Sequence, residues 1–328
     1  MSHTRGVHDD RWVAAIRDSG CLVSLATVEP ESEDVHGSVA RVLSTHAVDV
    51  VVAGPLTTCT RHLTKLEVPI VGLSWGFDLH EMAAARIESD DAWMSELAGL
   101  IVDSESTRAI AYTYGVRPHC VELIPWGVDL DAFDPAGSRA AHPSLPDDAT
   151  VVLSARAHEP LYRVGDIVEA FEIGRGLWGD DVYLLVMNEG PLTPDLQAAA
   201  GDHTLFIGRT REKDLAAWLR RSDVYVSASE TDGSSVTLLQ AMACGTPALV
   251  SDIPGNREWI RDGVSGRLFP VGDIQALTMK LAEVLVSPDR SSSAAKALAE
   301  VRARADWSNN SPRLGAVLRR VTGLPPDE

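Results

Sequence analysis

The stretch that decides the fold is VYVSASETDGSSVTLLQAMACGTPALVSD, residues 224–252. It begins with a short apolar run, continues through a glycine-containing turn and a helical pattern, and ends in a second apolar run. A strand, a crossover helix and another strand in this order predict a parallel β-sheet. The helix start, expected at Ser234, combines free N–H groups with the open backbone of Gly233 and the hydroxyls of Ser234 and Ser235, which favours a bound phosphate. This stretch therefore predicts an α/β domain that binds a diphosphate where a strand ends.

The same alternation extends in both directions from this stretch. Helical patterns at 166–174 and 212–221 separate the apolar runs TVVLSAR, VYLLVMN and TLFIG. The first half carries CLVSLATV, VDVVVAGP, PIVGLS, GLIVDS and CVELIPWG, each separated by a segment long enough for a crossover helix. Buried parallel strands have this continuous apolar character. The sequence thus predicts two Rossmann-like, doubly wound domains that face a cleft, with ligand at the carboxyl ends of the strands.

The predicted domain boundaries follow from composition. Residues 134–149 contain three prolines and no apolar periodicity, as expected for a linker. The domains are therefore placed at 1–137 and 138–308, with a terminal helix at 309–328. The helical pattern at 9–19 precedes CLVSLATV, although such a domain usually opens with a strand. Either translation begins upstream of Met1, or the sheet lacks its first strand.

Charge and cysteine content restrict the function. The 328 residues include 29 Lys and Arg against 47 Asp and Glu, a formal net charge of -18, which argues against a nucleic-acid partner. The four cysteines show no C-x-x-C spacing and are expected to be free thiols. The polar start of the chain, and the lack of any run near the ~18 apolar residues of a membrane span, favour a cytoplasmic protein with, at most, peripheral membrane contact.

Two polar residues bracket the predicted phosphate-binding helix. Asp232 stands in the turn, and Gln240 lies about two helical turns further along, so both could reach one ligand. The alternative is that Asp232 caps the helix and Gln240 is a solvated surface amide. The residues alone leave both interpretations open.

The run DGSSVTLLQAMACGTPALVSDIPGNREWIRDGVSGRLF, residues 232–269, resembles the donor site of the family-4 glycosyltransferases, the glycosyl transferases of group 1. The resemblance continues through VVLSARAHEPLYRVGDIVEAF, VMNEGPL and FIGRTREKDLAAWLRRSDVYVS, with weaker traces in IPWGVDLDAF and HDDRWVAAI. It implies the two-domain GT-B fold, a retaining reaction and a terminal helix that returns to the first domain. In that family two glutamates contact the donor sugar and the ribose, and the matching positions are Asp232 and Gln240.

The resemblance also implies the remaining site residues. Arg156 falls nearest the position of a phosphate-binding cation, and Arg163 either supplies a similar charge or lies on the surface. The base of the donor is expected at Gly208, Arg209 and Thr210. Trp75 occupies the place of a histidine that often faces the donor sugar in relatives. Residues proposed for the acceptor side are Gly6, His8, Asp78 and His80, the last two with helix capping as the alternative; Glu258 is interpreted as structural.

The predicted function is transfer of a hexose-type sugar from a nucleotide-diphosphate-sugar to a hydroxyl of a glycan, glycolipid or small molecule. Arg156, Arg163 and the helix N–H groups would stabilise charge on the departing diphosphate. No cofactor or metal is expected. The exchanges at Asp232, Gln240 and Trp75 leave a non-catalytic nucleotide-sugar-binding subunit as the alternative, followed by a GT-B epimerase.

Overall fold

The computed structural model describes residues 7–27, 39, 43–45, 47–63, 66–85 and 92–323. The chain divides into two compact units, Met1–Trp126 with Ser308–Glu328, and Gly127–Trp307. Each unit contains a parallel β-sheet with helices, so the predicted α/β class is confirmed.

The first unit is built on a four-stranded sheet of order β1-β2-β3-β4. Its strands are short and mostly buried, because apolar side chains cover both faces of a parallel sheet. The strands are β1 (Val51–Ala53), β2 (Ile70–Leu73), β3 (Gly99–Val102) and β4 (Val121–Leu123). The helices whose full bounds the structure describes in this unit are α1 (Val7–Asp18), α2 (Phe77–Ala84) and α3 (Glu105–Thr113), followed at the far end of the chain by α11 (Trp307–Thr322).

The second unit carries a six-stranded parallel sheet of order β10-β9-β8-β5-β6-β7. Its strands are β5 (Thr150–Ser154), β6 (Val182–Met187), β7 (Thr204–Gly208), β8 (Val224–Ser227), β9 (Ala248–Ser251) and β10 (Arg267–Phe269). Its helices are α4 (Val164–Ile173), α5 (Thr193–Ala199), α6 (Glu212–Arg221), α7 (Val236–Ala243), α8 (Pro254–Arg257), α9 (Ile274–Val286) and α10 (Arg290–Arg304). The chain leaves β5 towards β6 and β7, then returns to add β8 on the other side of β5. Ligands bind at such a switch point, at the carboxyl ends of the two central strands.

Three local predictions are wrong. Residues 21–26 of CLVSLATV have no regular structure, Leu22 is fully exposed and Thr27 lies in a β-bridge, so the expected strand does not form over residues 21–26. The expected linker 134–149 lies inside the second unit, where Leu145 is buried and Arg220 donates to the backbone carbonyls of Asp134 and Ser138. The helix expected from Ser234 begins two residues later, at Val236.

The final helix packs within the first unit. Arg313 of α11 pairs with Glu122 of β4 at 2.8 Å, and Asn310 donates to the carbonyl of Pro125 at 3.2 Å. The buried side chains of Leu314, Val317 and Leu318 form the apolar stripe of this helix. Residues distant in sequence therefore complete one core.

Candidate functional site at the carboxyl edge of the second sheet

Helix α8 packs against the turn between β8 and α7. An added Cβ on Gly255 would lie 2.1 Å from the carbonyl oxygen of Gly233 and 2.4 Å from that of Asp232, so only glycine permits this approach. Ser235 occupies the N-cap position of α7 with extended backbone. Ser234, expected to face the diphosphate, is buried and accepts a hydrogen bond from Trp259 Nε1 at 3.2 Å. The turn is thus fixed before any ligand is considered.

Arg156 is the central cation of the site. It follows β5, and its guanidinium donates from one nitrogen to Ser235 Oγ and from another to Asp232 Oδ2, both at 2.7 Å. The guanidinium also lies 4.1 Å above the ring of Tyr162. The side chain is buried. Burial by itself would lower the pKa of Arg156, but the charge of Asp232 and the two nearby tyrosines outweigh it and raise the pKa. Arg156 is therefore a permanent positive charge at the switch point.

Arg163 lies in a separate ion-pair network. Its Nε is 2.7 Å from Asp166 Oδ2, and a terminal nitrogen is 2.7 Å from Glu230 Oε1. The residue adopts a left-handed backbone conformation (φ 46°), which is uncommon for residues other than glycine. The backbone N–H of Glu230 donates to the carbonyl of Leu161 at 2.9 Å. These contacts join the loop after β5 to the loop after β8, and they place Arg163 beside carboxylates.

The end of β7 forms the other side of this edge. Gly208 is left-handed (φ 72°), and its carbonyl accepts from the backbone of Asn188 at 2.8 Å. Arg209 is mostly exposed and lies 3.6 Å from Glu189. Thr210 is partly buried. On α7, Gln240 is buried, which excludes a solvated surface amide, and its Nε2 lies 3.3 Å from Glu212 Oε1.

Two residues that the sequence did not single out hold the loop of Arg156. His158 contacts the carbonyl of Met187 at 3.2 Å through Nε2 and Thr193 Oγ1 at 2.8 Å through Nδ1. Asn188, left-handed at φ 74°, donates from its side chain to the carbonyl of Ala155 at 2.9 Å. The available sequence signals were a histidine two residues beyond Arg156 and an asparagine at the end of an apolar run. Neither signal predicts which group the side chain contacts.

Asp78, the second residue of α2, joins the segments that follow β1 and β2. Its side chain is fully buried and accepts hydrogen bonds from Ser74 Oγ at 2.7 Å and from the backbone N–H groups of Leu56, Trp75 and Leu79 at 2.8 to 3.2 Å. Burial raises the pKa of Asp78, and these four donors oppose that rise. This arrangement corrects the expectation of a ligand contact, because both carboxylate oxygens are used inside the protein.

The other site residues predicted in the first unit stay predictions, and the structure describes contacts for His80 and Trp75. His80 Nε2 lies 3.4 Å from Ser106 Oγ. Trp75 packs edge-to-face on Trp126, with ring centroids 6.4 Å apart. His8 falls in α1, and Gly6 lies outside the described residues. The carbonyl of Glu258 accepts from Arg304 at 2.8 Å, in keeping with a structural role.

Comparisons with known proteins identify relatives of this chain. Residues 148–287 match the sequence model of the family Glycosyl transferases group 1. The chain is 35% identical over 221 residues to a phosphatidyl-myo-inositol mannosyltransferase of Mycobacterium leprae, covering 66% of this chain and 57% of that protein. It is 30% identical over 226 residues to a D-inositol 3-phosphate glycosyltransferase of Thermobispora bispora, covering 64% of this chain and 53% of that protein. The chain thus spans somewhat more than half the length of these relatives.

Solved structures share the fold. The crystal structure of Anabaena HepE in complex with UDP and glucose superposes with a TM-score of 0.73 at 16% identity, covering 96% of this chain and 90% of that one. Sucrose-phosphate synthase from Thermosynechococcus elongatus gives a TM-score of 0.72 at 18% identity, covering 88% and 77%. Within the part of the chain that the structure describes, no helix is long and apolar enough to cross a membrane. Residues 148–287 therefore form a group 1 glycosyl transferase domain, and the chain has the GT-B type of fold, as the resemblance predicted.

Proposed function

We propose that this chain, as a group 1 glycosyl transferase, moves a hexose-type sugar from a nucleotide-diphosphate-sugar to a hydroxyl acceptor. The observation that carries the proposal is the buried guanidinium of Arg156 at the switch point of the second sheet, 2.7 Å from both Asp232 and Ser235. A fixed cation beside the start of α7 suits a diphosphate. Its burial strengthens the interaction with an anion, because water screens it less.

Arg156 and the first N–H groups of α7 supply electrostatic stabilisation in this proposal. As the bond from the anomeric carbon to the diphosphate breaks, its electron pair passes to the diphosphate oxygen. Preorganised donors stabilise the charge that develops there. Asp232, held by Arg156 at 2.7 Å, is proposed to contact the donor sugar. Retention of configuration is part of the proposal through the family resemblance, and the anomeric configuration of the product tests it.

The names of the relatives suggest the acceptor class. The Mycobacterium leprae and Thermobispora bispora proteins are named for phosphatidyl-myo-inositol and D-inositol 3-phosphate. We propose an inositol ring that carries a phosphate group, either free or as a lipid headgroup, as the first acceptor to test.

The experiment measures nucleotide release from UDP-, GDP- and ADP-sugars with and without myo-inositol phosphate or phosphatidylinositol. Acceptor-dependent release is the expected result. Asp232→Ala should remove it, whereas Asp180→Ala, at an exposed carboxylate that pairs with Arg175, is the matched control. Unchanged turnover in Asp232→Ala would refute the site assignment.

A second candidate is a nucleotide-sugar-binding subunit without turnover. The observation that favours it is the pairing of both predicted phosphate-binding cations: Arg156 with Asp232, and Arg163 with Asp166 and Glu230. Such a subunit would be stabilised thermally by the nucleotide, since any ligand that binds only the folded state raises its stability. It would release no nucleotide with any acceptor.

A further inference from the structure

A buried amide in the second unit is directed at an exposed carboxylate. Gln240 is only 6% exposed, yet its Nε2 lies 3.3 Å from Oε1 of Glu212. Glu212 is the first residue of α6 and its side chain reaches solvent. One carboxylate oxygen is thereby held by a side chain from a second helix, while the other is available as an acceptor.

Glu212 lies at the same edge of the sheet as the proposed donor site. It follows β7 by four residues, beyond the left-handed Gly208, so it stands at the carboxyl side of the parallel strands. Gln240 is the fifth residue of α7, about 6 Å along the axis from the helix start at which the diphosphate is proposed to bind.

The two arginines next to Glu212 in the sequence pair with other carboxylates. Arg209 pairs with Glu189 at 3.6 Å, and Arg211 pairs with Asp214 at 2.8 Å. A carboxylate accepts hydrogen bonds strongly from hydroxyls, and acidic residues beyond a strand recognise ribose hydroxyls in other Rossmann-like folds. An amide at position 240 donates to Glu212, whereas a second carboxylate there would repel it.

We propose that Glu212 accepts hydrogen bonds from the ribose hydroxyls of the donor nucleotide, and that Gln240 is its positioning residue. The carboxylate for the ribose is then supplied by α6, not by α7. This inference rests on the proposed function, because it concerns the nucleotide of the same site.

The experiment compares, by calorimetry on the full chain, the binding of UDP, GDP and ADP with that of their 2′,3′-dideoxy analogues. For the nucleotide that binds best, the ribose form should bind at least about tenfold more tightly, as expected for hydrogen bonds to a charged group. Glu212→Gln should abolish this preference. Asp214→Asn, a matched loss of charge on the same helix, should retain it.

A change of charge at position 240 separates positioning from simple structural support. Gln240→Glu places two carboxylates within contact distance and should weaken ribose recognition strongly, whereas Gln240→Met, which keeps the approximate size of the side chain and removes only the donated hydrogen bond, should weaken it less. A larger loss of the ribose preference in Gln240→Glu than in Gln240→Met supports the proposal. Because the readout is a ratio of two affinities, a general loss of stability does not imitate the effect.

The outcomes distinguish this proposal from the proposed function. If the wild type binds a nucleoside diphosphate but Glu212→Gln keeps the full ribose preference, the assignment of Glu212 is overturned while the donor site stands. If Gln240→Glu keeps or strengthens the ribose preference, the positioning role of Gln240 is overturned. If none of the three nucleotides binds, both this proposal and the proposed function fail.

Discussion

Asp78 and Asp232 occupy corresponding places in the two sheets, because each follows a parallel strand near its carboxyl end. Asp78 is completely buried and accepts four hydrogen bonds from uncharged donors of its own unit. Asp232 retains 17% exposure of its side chain and pairs with the guanidinium of Arg156. The same residue type thus forms a buried structural contact in the first unit, at Asp78, and a partly exposed ion pair in the second unit, at Asp232.

The difference lies in the partner. Backbone donors satisfy the oxygens of Asp78 but bring no positive charge, so burial still raises its pKa. Arg156 brings a full charge and a planar fork with several donors, of which Asp232 and Ser235 use two. The cation that pairs with Asp232 can also bind an incoming anion. The uncharged donors around Asp78 hold the surrounding segments in place.

The largest expected effect is on Arg156. Arg156→Lys should lower acceptor-dependent nucleotide release by about 100-fold or more, because a lysine cannot hold Asp232 and Ser235 with a planar fork while facing a diphosphate. The measurement is the initial rate of nucleotide release, with Arg175→Lys as the control. Turnover within a few-fold of the wild type would remove Arg156 from the site.

Asp78 should affect stability and not nucleotide binding. Asp78→Ala leaves buried backbone N–H groups without their acceptor, so the free energy of unfolding should fall by roughly 2–4 kcal/mol. Asp78→Asn, which keeps one acceptor oxygen, should lose less. Urea unfolding measures the change in stability, and calorimetry measures the affinity for the nucleotide. A large change in nucleotide affinity at unchanged stability would contradict the contrast between the two aspartates.

Gly255 tests how firmly the turn of Asp232 is held. Gly255→Ala should destabilise by about 1–3 kcal/mol and reduce turnover, because the new Cβ would overlap the carbonyls of Asp232 and Gly233. Gly165→Ala is the matched control, since a Cβ there meets only Leu196 at 3.7 Å, an ordinary contact. The control should be neutral or slightly stabilising by the helix propensity of alanine. Equal behaviour of the two variants would show that the turn is not tightly constrained.

The smallest expected effect concerns the pH dependence at His158. Burial lowers the pKa of His158, so the folded state prefers the neutral ring. Below the ordinary histidine value of about 6.5, the unfolded chain takes up a proton before the folded chain does, and stability falls as the pH falls. His158→Gln should flatten the decline between pH 7 and pH 5 by less than about 1 kcal/mol. Thermal unfolding across that range measures it, and an unchanged slope would assign the decline to other groups.

Much of the second unit could be predicted from the sequence. The apolar runs TVVLSAR, VYLLVMN, TLFIG, VYVSAS and PALVSD all contain strands of the central sheet. CLVSLATV carries the same local signal, yet residues 21–26 form no strand and only Thr27 lies in a β-bridge, because a strand also needs a partner along its length to satisfy its backbone. The expected linker failed for the related reason that Arg220 supplies hydrogen bonds to a segment without apolar periodicity.

The α/β class, the two units and the glycine turn at Asp232 and Gly233 follow from the sequence, since they depend on apolar runs and backbone freedom within a few residues. The partners of each side chain depend on the three-dimensional fold. Arg156 and Asp232 are 76 positions apart, Glu212 and Gln240 are 28 apart, and their contacts arise from strand order and helix packing. A local pattern predicts the helix or strand to which a side chain belongs, but the order of the strands sets which charged residue it contacts.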